Sequence, residues 1–494
     1  MNYTSTRNAH GAKYSAAQVI KQGLAEDGGL FLPEAIPTLT NADIEKLAKM
    51  DYIHRAADIM SRFLTDYTYD ELLEDCSAAY SEKSFVGGAA PLVNVKDNLY
   101  SLELWHGPTS AFKDMALQLM PRLLVRALRK TGESRTALIL VATSGDTGKA
   151  ALEGYRDVDG VKIMVFYPVD GVSRVQKLQM ATQEGNNVNV CAIEGNFDDA
   201  QNGVKKIFSD TEFAKTLDEK GYFLSSANSI NWGRLAPQIV YYVSAYCDLL
   251  NENKIKLGDT MNVCVPTGNF GNIFAAYIAK LMGLPIGKLI CASNVNNILT
   301  DFLESGTYDR NRKFHVTMSP SMDILISSNL ERLLYLVAGS EKTAKYMAEL
   351  SKNGVYSITP EEKAKIDESF IGYYADENDT ASAIKENFNA NGYLHDTHTA
   401  VAFHAAVRYV AESGDTSPMI VDSTASPYKF ATDVYTSLTG EKVGDALEAP
   451  EILSKATNTE IPYPLRDIAK RRIRFTKVVK PCEMAESVLD YLKS

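Results

Sequence analysis

The sequence has little of what marks an extracellular, membrane-bound or nucleic-acid-binding chain. Its six cysteines, Cys76, Cys191, Cys247, Cys264, Cys291 and Cys482, are scattered over 494 residues, with no C-x-x-C pair. Neither a disulfide framework nor a cysteine metal site is indicated, and no metal is expected. No apolar run approaches the length of a membrane span. The polar start, Met1-Asn2-Tyr3-Thr4-Ser5-Thr6-Arg7, lacks the apolar core of a secretory signal. Positive charge is in deficit, with 51 Lys and Arg against 62 Asp and Glu and a formal net charge of −11. No long basic run offsets it, which argues against nucleic acid or a membrane surface as partner. An anionic ligand would need local cations and backbone N–H groups. The expectation is a cytoplasmic globular protein of two or three domains.

What the chain does have is alternation. Residues 1 to about 94 carry a tight-turn signal, Asp27-Gly28-Gly29, and helical spacing from Asn41 to Ser81. From there apolar runs alternate with helical ones. Strands are expected at Arg135–Ala142, Val161–Tyr167, Asn187–Ile193 and Tyr222–Ser225, then at Asn262–Val265, Lys288–Ala292 and Met419–Asp422. Such alternation implies parallel sheets covered by helices on both faces.

In open parallel sheets, ligands sit beyond the carboxyl ends of the strands. Four stretches fall at such positions or beside them. Leu104-Trp105-His106-Gly107-Pro108-Thr109-Ser110-Ala111-Phe112-Lys113-Asp114 ends in a lysine at the mouth of a helix. A partly desolvated lysine there would have a lowered pKa and serve as an amine nucleophile toward an aldehyde. Thr143-Ser144-Gly145-Asp146-Thr147-Gly148 is a glycine-rich corner suited to an anion. It is not a Walker A loop, because Ala150 follows Gly148-Lys149 and Thr143 takes the place of the first glycine. Gly268-Asn269-Phe270-Gly271-Asn272 lacks acidic residues and precedes a helix, as a phosphate cradle would. It departs from G-x-G-x-x-G, so a dinucleotide is not indicated. Ser423-Thr424-Ala425-Ser426-Pro427 brings a hydroxyl that could bond a ring nitrogen or cap a helix. An activated lysine, a phosphate cradle, an anion loop and a hydroxyl together suit pyridoxal 5'-phosphate.

Four motifs in order carry a resemblance. They are His106-Gly107-Pro108-Thr109 through Ala111-Phe112-Lys113-Asp114, Thr143–Gly148, Asn228-Ser229-Ile230-Asn231-Trp232-Gly233-Arg234, and Pro266-Thr267-Gly268-Asn269-Phe270-Gly271-Asn272. The chain resembles the threonine synthase family of fold type II, tryptophan-synthase-β-like pyridoxal-phosphate enzymes, in its longer bacterial and fungal form. The resemblance implies Lys113 as the Schiff-base lysine, Phe112 packed by the cofactor, Gly268, Asn269, Phe270, Gly271 and Asn272 around its phosphate, and Thr424 on its ring nitrogen. It implies Thr143, Ser144, Asp146 and Thr147 near the substrate carboxylate. Ser229, Asn231 and Arg234 would belong to the substrate-phosphate site. Many relatives have Asn where Asp146 stands. Thr397 replaces a Pro that often precedes the late helix, where His398 either contacts ligand or completes the helix start.

The fold implied is α/β, with two parallel-sheet domains and an N-terminal, mainly helical one. Expected limits are 1–94 for the helical domain, 95–130 and 233–494 for the large cofactor domain, and 131–232 for a smaller mobile domain. The expected reaction converts O-phospho-L-homoserine and water to L-threonine and phosphate, in a monomer or homodimer. Two alternatives are a phospholyase giving 2-oxobutyrate and a non-catalytic phosphate-ligand sensor on the same fold.

Overall fold

The computed structural model describes all residues except 9, 10, 144, 170, 171 and 494. Two parallel sheets organise it. The larger has six strands in the order Phe370–Tyr374, Ile286–Ser293, Met261–Pro266, Met419–Ser423, Leu99–Glu103, Leu92–Lys96. All its pairings are parallel except that of Leu92–Lys96 with Leu99–Glu103. The smaller sheet runs Val478–Val479, Val188–Ile193, Val161–Pro168, Thr136–Ala142, Tyr222–Ser225 and is parallel throughout. Met261–Pro266 is buried at every residue, as an inner strand covered on both faces must be.

The N-terminal helices Asn41–Ala48, Tyr52–Phe63 and Tyr69–Ala79 start at Thr40, Asp51 and Thr68, whose side chains accept backbone N–H bonds. They do not form a core of their own. Tyr3 and Phe63 meet Trp232 edge-on at ring distances of 5.8 and 5.6 Å. Trp232 opens the buried helix Trp232–Asn251, so these residues join the core beneath the large sheet.

One expected limit is corrected. Residues 233–494 do not all belong with the large sheet. Val478–Val479 adds an edge strand beside Val188–Ile193, and the helix Met484–Lys493 buries Met484, Val488 and Tyr491 in the core of the small sheet. The chain therefore leaves the small unit after Tyr222–Ser225 and returns to it at its end. Among the described residues, no helix is long and apolar enough to cross a membrane.

Candidate active site

Strand order explains the site. Leu99–Glu103, Met419–Ser423 and Met261–Pro266 are successive neighbours in the large sheet. The loops leaving their carboxyl ends therefore meet, although they are far apart in sequence. The first carries Lys113, the second Thr424, and the third Gly268–Asn272.

The lysine loop is stitched to the Thr424 loop by backbone. The Phe112 N–H donates to the Thr424 carbonyl at 2.8 Å, Ala111 and Ala425 form an isolated bridge, and the Ser426 N–H donates to the Ser110 carbonyl at 3.1 Å. Asp114 holds the turn from within, accepting the Thr109 N–H at 2.8 Å and the Thr109 hydroxyl at 2.7 Å. Gly107 is needed there because a Cβ on it would come within 2.6 Å of Asp114. Burial pushes the Asp114 carboxyl up to about 6, against the hydrogen bonds from Thr109.

Lys113 begins a short helix, Lys113–Leu117. Among the described residues its amine has neither a hydrogen-bond acceptor nor an ion pair. Desolvation lowers its pKa to about 8, opposed by Asp146 and reinforced by Lys429 and Arg234. Phe112 is half-buried and its ring centroid lies 4.9 Å from the Lys113 amine.

Asp146 comes from the small sheet, at the start of the helix Asp146–Tyr155. It meets Lys429 from the large unit, Nζ to Oδ1 2.7 Å, with side chains 4% and 0% exposed. Gln176 Nε2 donates to the same carboxylate at 2.8 Å. Burial alone would raise the Asp146 carboxyl, but Lys429, Lys113 and Gln176 outweigh it and hold it below the ordinary carboxylate range. Lys429 also donates to the Thr109 carbonyl at 3.0 Å, so one buried cation joins both units to the lysine turn. Sequence reasoning passed over Lys429. The one available signal was a lysine five positions past Thr424, in a stretch otherwise apolar.

Thr143 is buried, and its hydroxyl accepts the N–H groups of Gly145 at 3.0 Å and Gly148 at 2.9 Å, so it shapes its own turn. Thr147 is half-buried on the first turn of the helix. Ser144 lies outside the described residues. Asn231 caps the helix Trp232–Asn251, accepting the Gly233 N–H at 2.8 Å and donating to the Ile20 carbonyl at 2.9 Å. Both ends of its amide are thereby used. Ser229 is half-buried and, among the described residues, without a hydrogen bond. Arg234 is buried; its Nη1 donates to the Ala227 carbonyl at 2.6 Å and its Nε has no partner. Burial lowers its pKa to about 10, and no described carboxylate pairs with it.

The third loop has the form of a cradle. Phe270 adopts φ +62°, a left-handed conformation that costs a non-glycine residue energy and turns the chain into the helix Gly271–Leu281. Among the described residues, the N–H groups of Gly268 to Asn272 have no acceptor. The loop's carbonyls do have partners. Ser327 donates to the Gly268 carbonyl at 2.7 Å, and Asn329 donates to the Asn269 carbonyl from N at 3.1 Å and from Nδ2 at 2.9 Å. A Cβ on Gly268 would stand 2.8 Å from the Ser321 carbonyl. Asn269 is exposed, whereas Asn272 is buried and accepts from Tyr241 and from Tyr242, the latter at 2.6 Å.

Thr424 is buried, and its hydroxyl has no partner among the described residues. It does not serve as a helix cap; Ser426 does, accepting the Tyr428 N–H at 3.3 Å. His398 has both ring nitrogens engaged, Nδ1 with Asp396 Oδ1 at 2.8 Å and Nε2 accepting the Ser321 N–H at 3.0 Å. It completes the helix start and holds the Ser321 segment over Gly268.

These features fit pyridoxal phosphate. Free N–H groups at a helix N-terminus suit its phosphate, and a half-buried lysine amine with no acceptor among the described residues suits its aldehyde. Lys113 is acted on by two further cations, Lys429 and Arg234, and by the carboxyls of Asp146 and Asp114, of which Asp146 is paired with Lys429, so Arg234 is left to meet an anion. The unpartnered Thr424 hydroxyl is free to meet a ring atom.

Comparison with known proteins agrees. Residues 2–80 match the family model "Threonine synthase N terminus", residues 87–421 "Pyridoxal-phosphate dependent enzyme", and residues 399–489 "Threonine synthase, C-terminal". The chain is 38% identical to threonine synthase of Pseudomonas aeruginosa, covering 98% of this chain and 97% of that one. It is 42% identical to threonine synthase-like 1 of Pongo abelii over 88% of its own length, but spans only 59% of that longer relative. The solved structure of pyridoxal-phosphate-bound threonine synthase from Brucella melitensis superposes with a TM-score of 0.88 at 37% identity, covering 100% of both chains.

Proposed function

The chain belongs to the threonine synthase family of pyridoxal-phosphate-dependent enzymes, and from that membership we propose that it converts O-phospho-L-homoserine and water to L-threonine and phosphate. The observation that carries this reading is the half-buried Lys113 amine beside the buried Lys429–Asp146 pair, with the buried, carboxylate-free Arg234 acting on it. It supplies a nucleophilic amine and an arginine with no acid of its own to bind.

Pyridoxal phosphate, when bound, supplies an aldehyde that links to amines and a ring that takes up electrons from bonds at the α-carbon. The free N–H groups of Gly268 to Asn272 would hold its phosphate, the Thr424 hydroxyl would serve its ring nitrogen, and Phe112 would pack beside it. Lys113 is the amine that would hold the aldehyde, and once released it would stand as the base for the proton on the substrate Cα. A pKa of about 8 leaves part of this amine unprotonated near neutrality, as both tasks require. Asp146, ionised against Lys429, keeps the lysine's surroundings polar and fixed. The turn from Thr143 to Gly148, with Thr147, offers a helix N-terminus to the substrate carboxylate. Arg234 and Ser229 take the substrate phosphate, and Asn231 fixes the helix start that aims Arg234.

Over the reaction, protons leave Cα and Cβ, and phosphate leaves Cγ with its bonding electrons. Cγ gains a proton, the hydroxyl of water bonds Cβ, and Cα is reprotonated. The test is incubation with O-phospho-L-homoserine, assaying threonine, 2-oxobutyrate and phosphate together. Threonine and phosphate in equal amounts support the proposal. Phosphate with 2-oxobutyrate and no threonine would make the chain a phospholyase.

A further inference from the structure

One cavity is not used by this scheme. It holds about 1120 Å³ and lies against the loop that leads to Lys113, with Gly107, Pro108 and Ser110 in its wall. The helix that starts at Asp146 and the segment 460–474 close it from other sides. The volume accommodates a small organic anion.

Its charge runs against that of the whole chain. Seven Lys and Arg side chains line it against four Asp and Glu. All four acids are already taken: Glu153 by Lys149 at 3.0 Å, Glu184 by Arg156 at 2.9 Å, Asp157 by Arg156 at 3.6 Å, and Glu460 by Arg466 at 3.2 Å. Lys83, Arg471, Arg472 and Arg474 are left without an ion pair among the described residues. Arg474 donates to the Gln183 and Gly185 carbonyls, which fastens the segment over the cavity, and Arg471 donates to the Pro464 carbonyl within the segment. Lys83 and Arg472 make no side-chain hydrogen bond among the described residues. The wall adds a second, independent feature. Ser110 is fully buried, yet its hydroxyl has no hydrogen-bond partner among the described residues. A buried polar atom without a partner is costly and calls for an unseen one.

We propose that this cavity binds the phosphate group of a small phosphorylated anion, as a holding site beside the reaction centre. The proposal rests on the reading of the chain as an enzyme that takes a phosphate ester and releases phosphate. Either the ester or the released phosphate could supply the group. A basic concavity in an acidic protein also concentrates such an anion locally, an effect that salt weakens.

The test uses the cofactor-loaded enzyme and Lys83→Glu/Arg472→Glu, which alters only the two unbonded, exposed cations. Unchanged cofactor absorbance and thermal midpoint show that the variant is folded. Calorimetric titration with inorganic phosphate should give binding that weakens about tenfold or more in the variant and falls with added salt in the wild type. If kcat/KM for O-phospho-L-homoserine falls about tenfold at constant kcat, the site serves substrate capture. If instead only product inhibition by phosphate is relieved, it serves release. Equal phosphate binding in both proteins overturns the proposal. Because the titration needs no turnover, a chain that binds phosphate in this way but makes no threonine would overturn the reaction and keep the cavity.

Discussion

Lys429 and Asp146 form a fully buried ion pair, Nζ to Oδ1 2.7 Å, that joins the two sheets beside Lys113. Removing one partner strands the other charge in the interior, at a cost of about 3–5 kcal/mol. Lys429→Met and Asp146→Asn should each lower the urea midpoint, and the double variant should recover part of the loss. Equal and additive effects would mean the two charges do not depend on each other.

The same pair sets the state of the nucleophile. Lys429 pushes the Lys113 amine down and Asp146 pushes it up, with burial the larger effect and a result near 8. In the unfolded chain a lysine titrates near its ordinary value of about 10.4. Between these values the unfolded state holds more protons, so this group makes stability rise with pH across that window. In the apoprotein, the rate of acylation at Lys113 should follow a midpoint near pH 8. Asp146→Asn should lower that midpoint, and an unshifted profile would remove Asp146 from the lysine's environment.

Arg234→Ala should raise the KM for O-phospho-L-homoserine by about 10- to 100-fold, the worth of one charge-assisted hydrogen bond. Cofactor absorbance should remain. An unchanged KM would leave Arg234 with a structural role at the Ala227 carbonyl.

Asp422 sits one strand residue before Ser423-Thr424 and is buried, which raises its carboxyl to about 7. The Tyr242 hydroxyl donates to Asn272 at 2.6 Å and also lies 2.6 Å from Asp422 Oδ2. One hydroxyl proton cannot serve both acceptors, and a protonated Asp422 supplies the second. Its raised pKa makes this group's contribution fall as pH climbs from the unfolded carboxylate range toward 7. Asp422→Asn should flatten that decline in denaturation measured from pH 4 to 8. An unaltered pH profile would show Asp422 ionised throughout.

Gly268→Ala should weaken cofactor binding, because its Cβ would meet the Ser321 carbonyl at 2.8 Å. Fluorescence titration of the apoprotein with pyridoxal phosphate reads the change. Wild-type affinity would mean that the Ser321 segment, held by His398, can yield.

Much of this was legible in the sequence because it is local. Tyr222–Ser225 was read residue for residue, and the loops at Lys113, Gly268–Asn272 and Thr424 were each visible from glycines, hydroxyls and flanking strands. Their meeting was not legible from composition, since it depends on Met419–Ser423 inserting between Leu99–Glu103 and Met261–Pro266. Pairing between distant segments leaves no periodic signal. Lys429 was passed over because only burial against Asp146 distinguishes it from a surface lysine. Val478–Val479 is too short for an alternating pattern to register. The cations from Lys470 to Arg474 do not form a long basic run; they matter because the fold sets Arg471, Arg472 and Arg474 over a cavity with Lys83.

Everything proposed for the site depends on Lys113 being the amine that bonds the cofactor. Borohydride reduction of the loaded enzyme, followed by digestion and mass spectrometry, identifies it, because the buried Lys429 acts on Lys113 from close by. A stable pyridoxyl adduct is expected on the peptide containing Lys113, and none in Lys113→Ala. An adduct on Lys429 in the wild-type enzyme, or one that persists in Lys113→Ala together with full turnover, would contradict it.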